Sequence, residues 1–243
     1  MKIIIETMCD SLRDCIITEQ PGADRIALNS GTHLGGLTPS LGLLQSAKAA
    51  VQIPIVTMIR CRMGGFVYNE TELQTMKKDA QIMLENGADG IVFGFLNDDL
   101  TINVKDTQTF VDLAHQYGKE AIFHRAFDRV TDPIKAIETL ILLGVDRVLT
   151  SGLKPSVIDG LELVKTLQSQ YGDQIEILPG AGITHDNLID IIEKTHVTQI
   201  HASFKEPIYP KGSQFKDTAE PEETYHQIGE ENLKKALLKL EGL

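Results

Sequence analysis

Short apolar runs rich in Ile and Val alternate along the chain with longer amphipathic segments. The runs are almost continuously apolar, which is typical of strands buried on both faces of a parallel sheet. There are eight of them, at 3–8, 25–29, 55–60, 90–95, 120–125, 146–150, 175–180 and 199–203. One intervening segment, 70–86, carries an apolar stripe at helical spacing, formed by Leu73, Met76, Ala80, Met83 and Leu84. Eight such pairs in 243 residues predict an α/β protein, a (β/α)8 TIM barrel that forms a single domain, 1–243.

A repeated motif supports this count of strands. It ends a helix on glycine and enters the next strand through aspartate, as Gly22-Ala23-Asp24, Gly87-Ala88-Asp89 and Gly144-Val145-Asp146. Glycine favours the left-handed cap of a helix. The aspartates are expected at the bottom of the barrel, opposite the face where function collects, so we predict a structural role for them. An open doubly wound sheet is the alternative, but no G-x-G-x-x-G follows the first strand.

The segment 204–221 interrupts the pattern with three prolines and a glycine. It is predicted to be a long loop after the eighth strand, followed by a terminal helix over 222–241. The loop could cover the barrel as a lid or serve as a solvated connection.

The charge balance restricts the class of partner. The chain has 34 acidic and 23 basic residues and a net charge of −11, which argues against nucleic acid. Its three cysteines are Cys9, Cys15 and Cys61, and no apolar run is long enough for a signal peptide or a membrane span. These features predict a cytoplasmic protein with no membrane partner. Assembly as a homo-oligomer stays open.

Polar side chains at the ends of the apolar runs should meet at one mouth of the barrel. They are Glu6, Asn29, Arg60, Arg62, His124, Arg125, Ser151, His201 and Ser203. Bases gathered at one rim of an acidic protein indicate a site for a phosphate or carboxylate. The arginines could instead neutralise acids in neighbouring loops.

A glycine-rich turn follows the seventh strand, at Gly180-Ala181-Gly182, and Thr184 could cap a helix after it. Loops after strands seven and eight commonly bind phosphate in this fold. The predicted anion-binding set is therefore Arg60, Arg62, Arg125, Gly180, Gly182, His201 and Ser203.

Glu6, Arg60 and His124 are the candidate catalytic residues. Histidine titrates near neutrality, and a partly buried Glu6 could be tuned by Arg60. Arg60 could equally be only the structural partner of Glu6, whose charge is costly to bury alone.

Several motifs in chain order resemble the CutC family of copper homeostasis proteins. They include Glu6-Thr7-Met8-Cys9-Asp10-Ser11, Gly35-Gly36-Leu37-Thr38-Pro39-Ser40, Met58-Ile59-Arg60-Cys61-Arg62, Phe66-Val67-Tyr68, Phe123-His124-Arg125-Ala126-Phe127-Asp128 and Pro179-Gly180-Ala181-Gly182. The matches run from residue 1 to about 203. The resemblance implies a (β/α)8 barrel and a role in intracellular copper homeostasis, with Cu(I) as the implied metal.

Met8, Cys9 and Cys61 are the candidate Cu(I) ligands, because copper(I) prefers soft sulfur donors. The family usually has cysteine where this chain has Met8, and proline where it has Cys61. If Glu6 and Arg60 point into the barrel, alternation turns Cys9 and Cys61 towards the helices and leaves Met8 inside.

Two functions from different classes remain. One is a role in copper homeostasis, with Cu(I) bound directly or with copper affected indirectly. The other is an enzyme of the lyase or isomerase type, acting on a phosphorylated or carboxylated small molecule with no direct copper role. A non-catalytic scaffold is a third option, and the residues do not decide whether the protein is an enzyme.

Overall fold

The computed structural model describes residues 2–209 and 224–242, and its core is a ring of eight parallel strands. The strands are β1 Ile4–Cys9, β2 Arg25–Leu28, β3 Ile55–Met58, β4 Gly90–Phe93, β5 Glu120–Phe123, β6 Arg147–Thr150, β7 Glu176–Pro179 and β8 Gln199–Ala202. They lie in the order β7-β6-β5-β4-β3-β2-β1-β8, and a parallel bridge between Gly180 and His201 joins β7 to β8. The predicted (β/α)8 barrel is confirmed.

Helices surround this ring and connect its strands. They are α1 Leu12–Glu19, α2 Leu41–Ala50, α3 Glu70–Glu85, α4 Val104–Gln116, α5 Pro133–Leu142, α6 Leu161–Tyr171, α7 Leu188–Thr195 and α8 Glu230–Leu240. Local chemistry fixes where several begin. Asn69 and Glu72 form a reciprocal capping box at the start of α3, and Asp132 caps α5 directly before Pro133. Within the described ranges, no helix is both long and apolar enough to span a bilayer.

The three repeated aspartates bind backbone amides in the first two residues of neighbouring strands. Asp24 accepts from the Ile5 N–H at 3.0 Å, Asp89 from Ile55 at 2.9 Å, and Asp146 from Ala121 at 2.8 Å. Each aspartate therefore ties its own strand to the preceding odd-numbered strand at the bottom of the barrel. The structural role predicted for the motif is confirmed.

The interior of the barrel has an apolar half and a charged half. The apolar half is a small cluster separate from the core between strands and helices, formed by Ala27, Val56, Met58, Val92 and Ile122. The charged half is a hydrogen-bonded network to which β1, β6, β7, β8 and the first residues of β2 and β5 contribute, formed by Glu6, Arg25, Glu120, Arg147, Glu176 and Gln199. Burying two arginines is tolerable because carboxylates and an amide satisfy them.

The C-terminal segment departs from the prediction. Lys205–Ile208 is strand β9 and Tyr225–Ile228 is strand β10, and the two pair antiparallel. Part of the expected loop 204–221 and part of the expected helix 222–241 are thus extended, and the helix begins only at Glu230. The reason is a tertiary contact, since the buried Ile228 N–H donates to Asp14 at 2.9 Å. Most of the expected lid loop, 210–221, lies outside the described residues.

Candidate functional site

A cavity of about 250 Å³ opens at the carboxyl ends of the strands. Its polar wall includes Glu6, Asn29, Arg60, His124, Arg125, His201 and Ser203. Its apolar wall includes Met8, Ala27, Met58, Val92, Ile122 and Leu149. The structure therefore brings Glu6, Arg60, His124 and His201 around one opening, as their places at the ends of strands indicate.

Glu6 is held by two basic side chains on neighbouring strands. Arg25 Nε donates to Glu6 Oε2 at 2.5 Å, and His201 Nδ1 lies 2.6 Å from Glu6 Oε1. The strand register produces this arrangement, because Glu6 lies opposite Arg25 on β2 and opposite His201 on β8. Burial alone would raise the pKa of Glu6, but the hydrogen bond from His201 and the charge of Arg25 hold it well below its usual value.

This contact defines the chemistry of His201. An ionised carboxylate only accepts hydrogen bonds, so Nδ1 of His201 carries the hydrogen. The remaining nitrogen, Nε2, then belongs to a ring that lines the cavity and has its orientation fixed by Glu6. A histidine held in this way presents Nε2 as a proton acceptor.

Arg60 does not pair with Glu6, and that sequence expectation is wrong. Its Nη1 donates to the carbonyls of Leu34 and Gly36, and its Nη2 donates to the Gly64 carbonyl at 2.7 Å. The loops after β2 and β3 thus wrap the guanidinium with backbone carbonyls. The buried Nε makes no hydrogen bond of good geometry among the described residues, and the buried Tyr68 hydroxyl is a polar neighbour of the guanidinium.

His124 is neutral, contrary to the expectation that it titrates near neutrality. Burial, reinforced by the nearby charge of Arg60, lowers the pKa of His124 to about 3. Its Nδ1 accepts from the Ala126 N–H at 3.1 Å, so the single ring hydrogen lies on Nε2. That Nε2 is buried and has no partner in the part of the chain that the structure describes. His124 is therefore placed to donate a hydrogen bond rather than to exchange a proton at neutral pH.

A third unpaired polar atom belongs to Asn29. Its Nδ2 donates to the Ala27 carbonyl at 2.9 Å, which leaves the buried Oδ1 as a free acceptor. Six buried side-chain atoms in the described ranges lack a partner, and three of them belong to residues that line this cavity. Buried polar atoms are normally satisfied, so such a concentration indicates a ligand that completes them.

Phe66 joins two of these residues. The ring centroids of Phe66 and His124 are 4.9 Å apart, and the Arg60 guanidinium carbon lies 5.1 Å from the Phe66 centroid. The aromatic ring therefore limits where both donors can point.

The other predicted anion-binding arginines are already paired. Arg125 lines the cavity, but its Nε donates to Asp128 at 2.7 Å and its Nη2 to Ser151. Arg62 binds Glu72 at 2.5 Å and stacks over Tyr68, outside the set of residues that line the cavity. Arg62 is thus misplaced in the predicted anion set, because β3 ends at Met58 and strand alternation no longer applies at position 62.

The glycine-rich turn contributes less than expected. Gly180 N–H donates to the Thr150 carbonyl at 3.0 Å, so it is not free to bind an anion, whereas Gly182 lines the cavity. Thr184 does not cap a helix. Asn187 binds both the Thr184 N–H and the Gly182 carbonyl in a turn, and α7 begins at Leu188.

The three candidate copper ligands do not converge. Met8 lines the cavity, while Cys9 is fully buried outside the barrel interior with its Sγ 3.3 Å from Thr18 Oγ1. Burial, then the neighbouring Cys15, raises the pKa of the Cys9 thiol well above its usual value. Cys61 packs against the core near Glu72 of α3. This donor set does not fit a single Cu(I) ion, and no cluster of three His, Cys, Asp or Glu suited to a metal occurs in 2–209 or 224–242.

Arg25 and Phe66 are the important neighbours that sequence reasoning missed as site residues. Arg25 lies at the start of β2, but it shares the parity of Ala27 and Asn29 and so faces the interior. This alternation along β2 is the sequence feature from which the inward position of Arg25 could have been predicted. Phe66 lies in a loop, where no periodicity indicates which way a side chain points.

Comparisons with known proteins agree on one family. The CutC family model matches residues 3–206. A Treponema denticola protein named "family protein CutC" is 45% identical over 199 residues, covering 82% of this chain and 80% of that protein. A Homo sapiens protein named "Copper homeostasis protein cutC homolog" is 44% identical over 200 residues, covering 82% and 72%. The solved structure of a putative copper homeostasis protein CutC from Streptococcus agalactiae superposes with a TM-score of 0.78 at 30% identity, covering 83% of this chain and 98% of that one.

Proposed function

Because this chain belongs to the CutC family, we propose that it takes part in copper homeostasis through a small organic anion bound in the barrel cavity. The names of its relatives support the part of the proposal that concerns copper. The residues of this chain that line the cavity support the part that concerns a bound anion. In this proposal, copper is affected indirectly and is not held by Met8, Cys9 and Cys61.

The observation that carries the proposal is the set of unpaired buried atoms around the cavity. Arg60 Nε and His124 Nε2 each offer a hydrogen, and Asn29 Oδ1 offers a lone pair. Arg60 also contributes a positive charge, and three of its four Nη hydrogens go to neutral backbone carbonyls. A ligand with a carboxylate or phosphate oxygen would satisfy the donors and balance that charge.

Direct Cu(I) binding is the competing proposal, and the placement of the sulfur atoms weighs against it. Met8 and Cys9 are adjacent in β1 and point to opposite faces of the sheet. Cys9 contacts Thr18 of α1, whereas the thiol of Cys61 is influenced by the charge of Glu72 on α3. One thioether in the cavity does not make a copper centre.

Complementation separates the two proposals. The wild type, an Arg60→Ala variant and a Cys9→Ala, Cys61→Ala variant are expressed in a copper-sensitive bacterial strain that lacks its own CutC protein. We expect the wild type and the cysteine variant to restore growth in copper, and Arg60→Ala to fail. Growth restored by Arg60→Ala but not by a folded cysteine variant would establish the copper centre instead.

Two measurements in vitro accompany the growth test. Competition with a Cu(I) chelator should give the same result for the wild type and the cysteine variant. A thermal-shift screen of carboxylated and phosphorylated metabolites should yield compounds that stabilise the wild type and not Arg60→Ala. A screen in which every stabilising compound acts equally on both proteins would remove the cavity from the proposal.

A further inference from the structure

We infer that this cavity is an active site in which His201 removes a proton from carbon. The substrate class is a small α-oxo carboxylate with a hydroxyl on the carbon next to the carbonyl. This inference rests on the proposed function, since it assigns both a ligand class and a reaction to the same cavity.

The base is His201, and neither Glu6 nor His124 can take its place. Glu6 is ionised and both of its oxygens are engaged, by Arg25 and by His201. His124 uses Nδ1 to accept from Ala126 and has its hydrogen on Nε2, so no lone pair of its ring faces a substrate. His201 has Nδ1 fixed by Glu6 and keeps the lone pair of Nε2. Glu6 is therefore a positioning residue, and it also stabilises the imidazolium that forms.

The two donors match the two adjacent oxygens of an α-oxo carboxylate. Arg60 Nε would bind a carboxylate oxygen, where its charge is useful. His124 Nε2 would bind the carbonyl oxygen, where negative charge develops as the proton leaves. A neutral histidine suits that position because its Nε2–H is a preorganised donor that polarises the carbonyl. A phosphate, with more oxygens to satisfy, would be less well matched by two single donors.

Asn29 supplies the contact for the hydroxyl. Its amide nitrogen is already used on the Ala27 carbonyl, so Oδ1 can only accept, and a substrate hydroxyl is the natural donor. Gly36 packs closely beside this oxygen, because a Cβ at that position would lie 2.5 Å from Asn29 Oδ1. The wall of Ala27, Val92 and Ile122 opposes the polar side and limits the substrate to a small molecule.

The reaction balances without a co-reactant. His201 Nε2 takes the proton from the hydroxyl-bearing carbon, and the electron pair of the broken C–H bond forms the carbon–carbon double bond of an enediolate. The former carbonyl oxygen takes the negative charge beside His124. The proton then returns from His201 to the former carbonyl carbon while the hydroxyl hydrogen moves to the neighbouring oxygen. Carbonyl and hydroxyl have exchanged places, which is an isomerisation.

Proton exchange with solvent tests the inference directly. Hydroxypyruvate serves as the probe in D2O, and proton NMR follows the loss of its CH2 signal above the rate in buffer. We expect the wild type to accelerate exchange and His201→Gln to lower that acceleration by at least about 100-fold. The His185→Gln variant is the matched control, because His185 also pairs with a carboxylate, Asp186 at 2.9 Å, but outside the cavity. It should behave as the wild type.

The role of Glu6 needs a separate readout. Glu6→Gln should lower kcat for exchange with little change in KM, because the carboxylate orients the base and does not touch the probe. If Glu6→Gln also raises KM strongly, Glu6 takes part in ligand binding, and its positioning role is overturned. His201→Asn provides a second test of the base if circular dichroism shows that His201→Gln is unfolded.

The outcomes separate this inference from the proposed function. Hydroxypyruvate that stabilises the wild type in a thermal shift but exchanges no faster than in buffer would overturn catalysis and leave the anion-binding cavity intact. Exchange that is equally fast in the wild type and His201→Gln would overturn His201 as the base. If hydroxypyruvate does not bind while other carboxylates or phosphates do, the substrate class is wrong. If no anion binds, the proposed function fails as well.

Discussion

The buried neutral state of His124 makes folding stability depend on pH below neutrality. The folded protein holds the pKa of His124 at about 3, whereas the ordinary value is 6.5. Below about pH 6.5 the unfolded chain binds a proton at this residue and the folded chain does not. Stability is therefore fully present above the ordinary pKa and is lost as the pH falls towards the folded value. Replacing His124 with glutamine removes this proton from both states.

The size of this pH dependence of stability follows from the difference between the folded and unfolded pKa of His124. Each pH unit between the unfolded and folded pKa contributes about 1.4 kcal/mol. Between about pH 7.5 and 4.5, wild-type stability should therefore fall by about 2.7 kcal/mol more than that of His124→Gln. The comparison stops near pH 4.5 because Glu6, whose folded pKa is strongly lowered, begins to lose its own contribution below that point.

Urea unfolding at several pH values measures this difference. The chain has no tryptophan, so far-UV circular dichroism is the suitable probe. His124→Gln is expected to be less stable at neutral pH, since the ring packs against Phe66, but its stability should change less with pH. The exposed His226→Gln serves as the control and should follow the wild type. Parallel pH profiles for the wild type and His124→Gln would refute the assignment of a neutral His124.

Three further substitutions test the packing and charges around the site. Gly94→Ala would place a Cβ 2.4 Å from His124 Nδ1 and should cost about 1–3 kcal/mol in urea unfolding, whereas Gly65→Ala, with open space around it, should cost little. Arg25→Met should cost about 3–5 kcal/mol at neutral pH because Glu6 loses its buried partner, and adding Glu6→Gln should recover part of that loss. A double variant as unstable as the single one would show that charge is not the cause. Asp89→Ala removes the acceptor for the Ile55 N–H and for Lys48 and Lys119, so thermal unfolding should show a loss of about 1–3 kcal/mol that Asp98→Ala does not produce.

The barrel could be predicted from the sequence because its strands are buried on both faces and therefore nearly continuous in apolar residues. The predicted and observed strands agree to within one or two residues at their ends. Alternation also predicted the outward position of Cys9, which lies within β1. The same rule failed for Arg62, because β3 ends four residues earlier and the chain turns away.

The partners within the site could not be predicted in the same way. The place of Glu6 at a rim does not reveal that Arg25 lies opposite it, since that depends on the register between β1 and β2. Arg60 donates hydrogen bonds to the carbonyls of Leu34, Gly36 and Gly64. These bonds depend on loop conformations, which leave no periodic pattern in the sequence. The strand β10 was missed because its burial rests on a contact with Asp14, more than two hundred residues away.

The arrangement of the cavity's polar and apolar walls has a stereochemical consequence. Unpaired atoms of Asn29, Arg60 and His124 fix three points on a bound molecule, and the Ala27, Val92 and Ile122 wall fixes which side of it faces away. Mirror-image molecules cannot satisfy the same three points with the same face against that wall. The cavity should therefore distinguish enantiomers, so that when a chiral ligand and its mirror image are offered in equal amounts, the unbound fraction recovered by ultrafiltration is enriched in one of them.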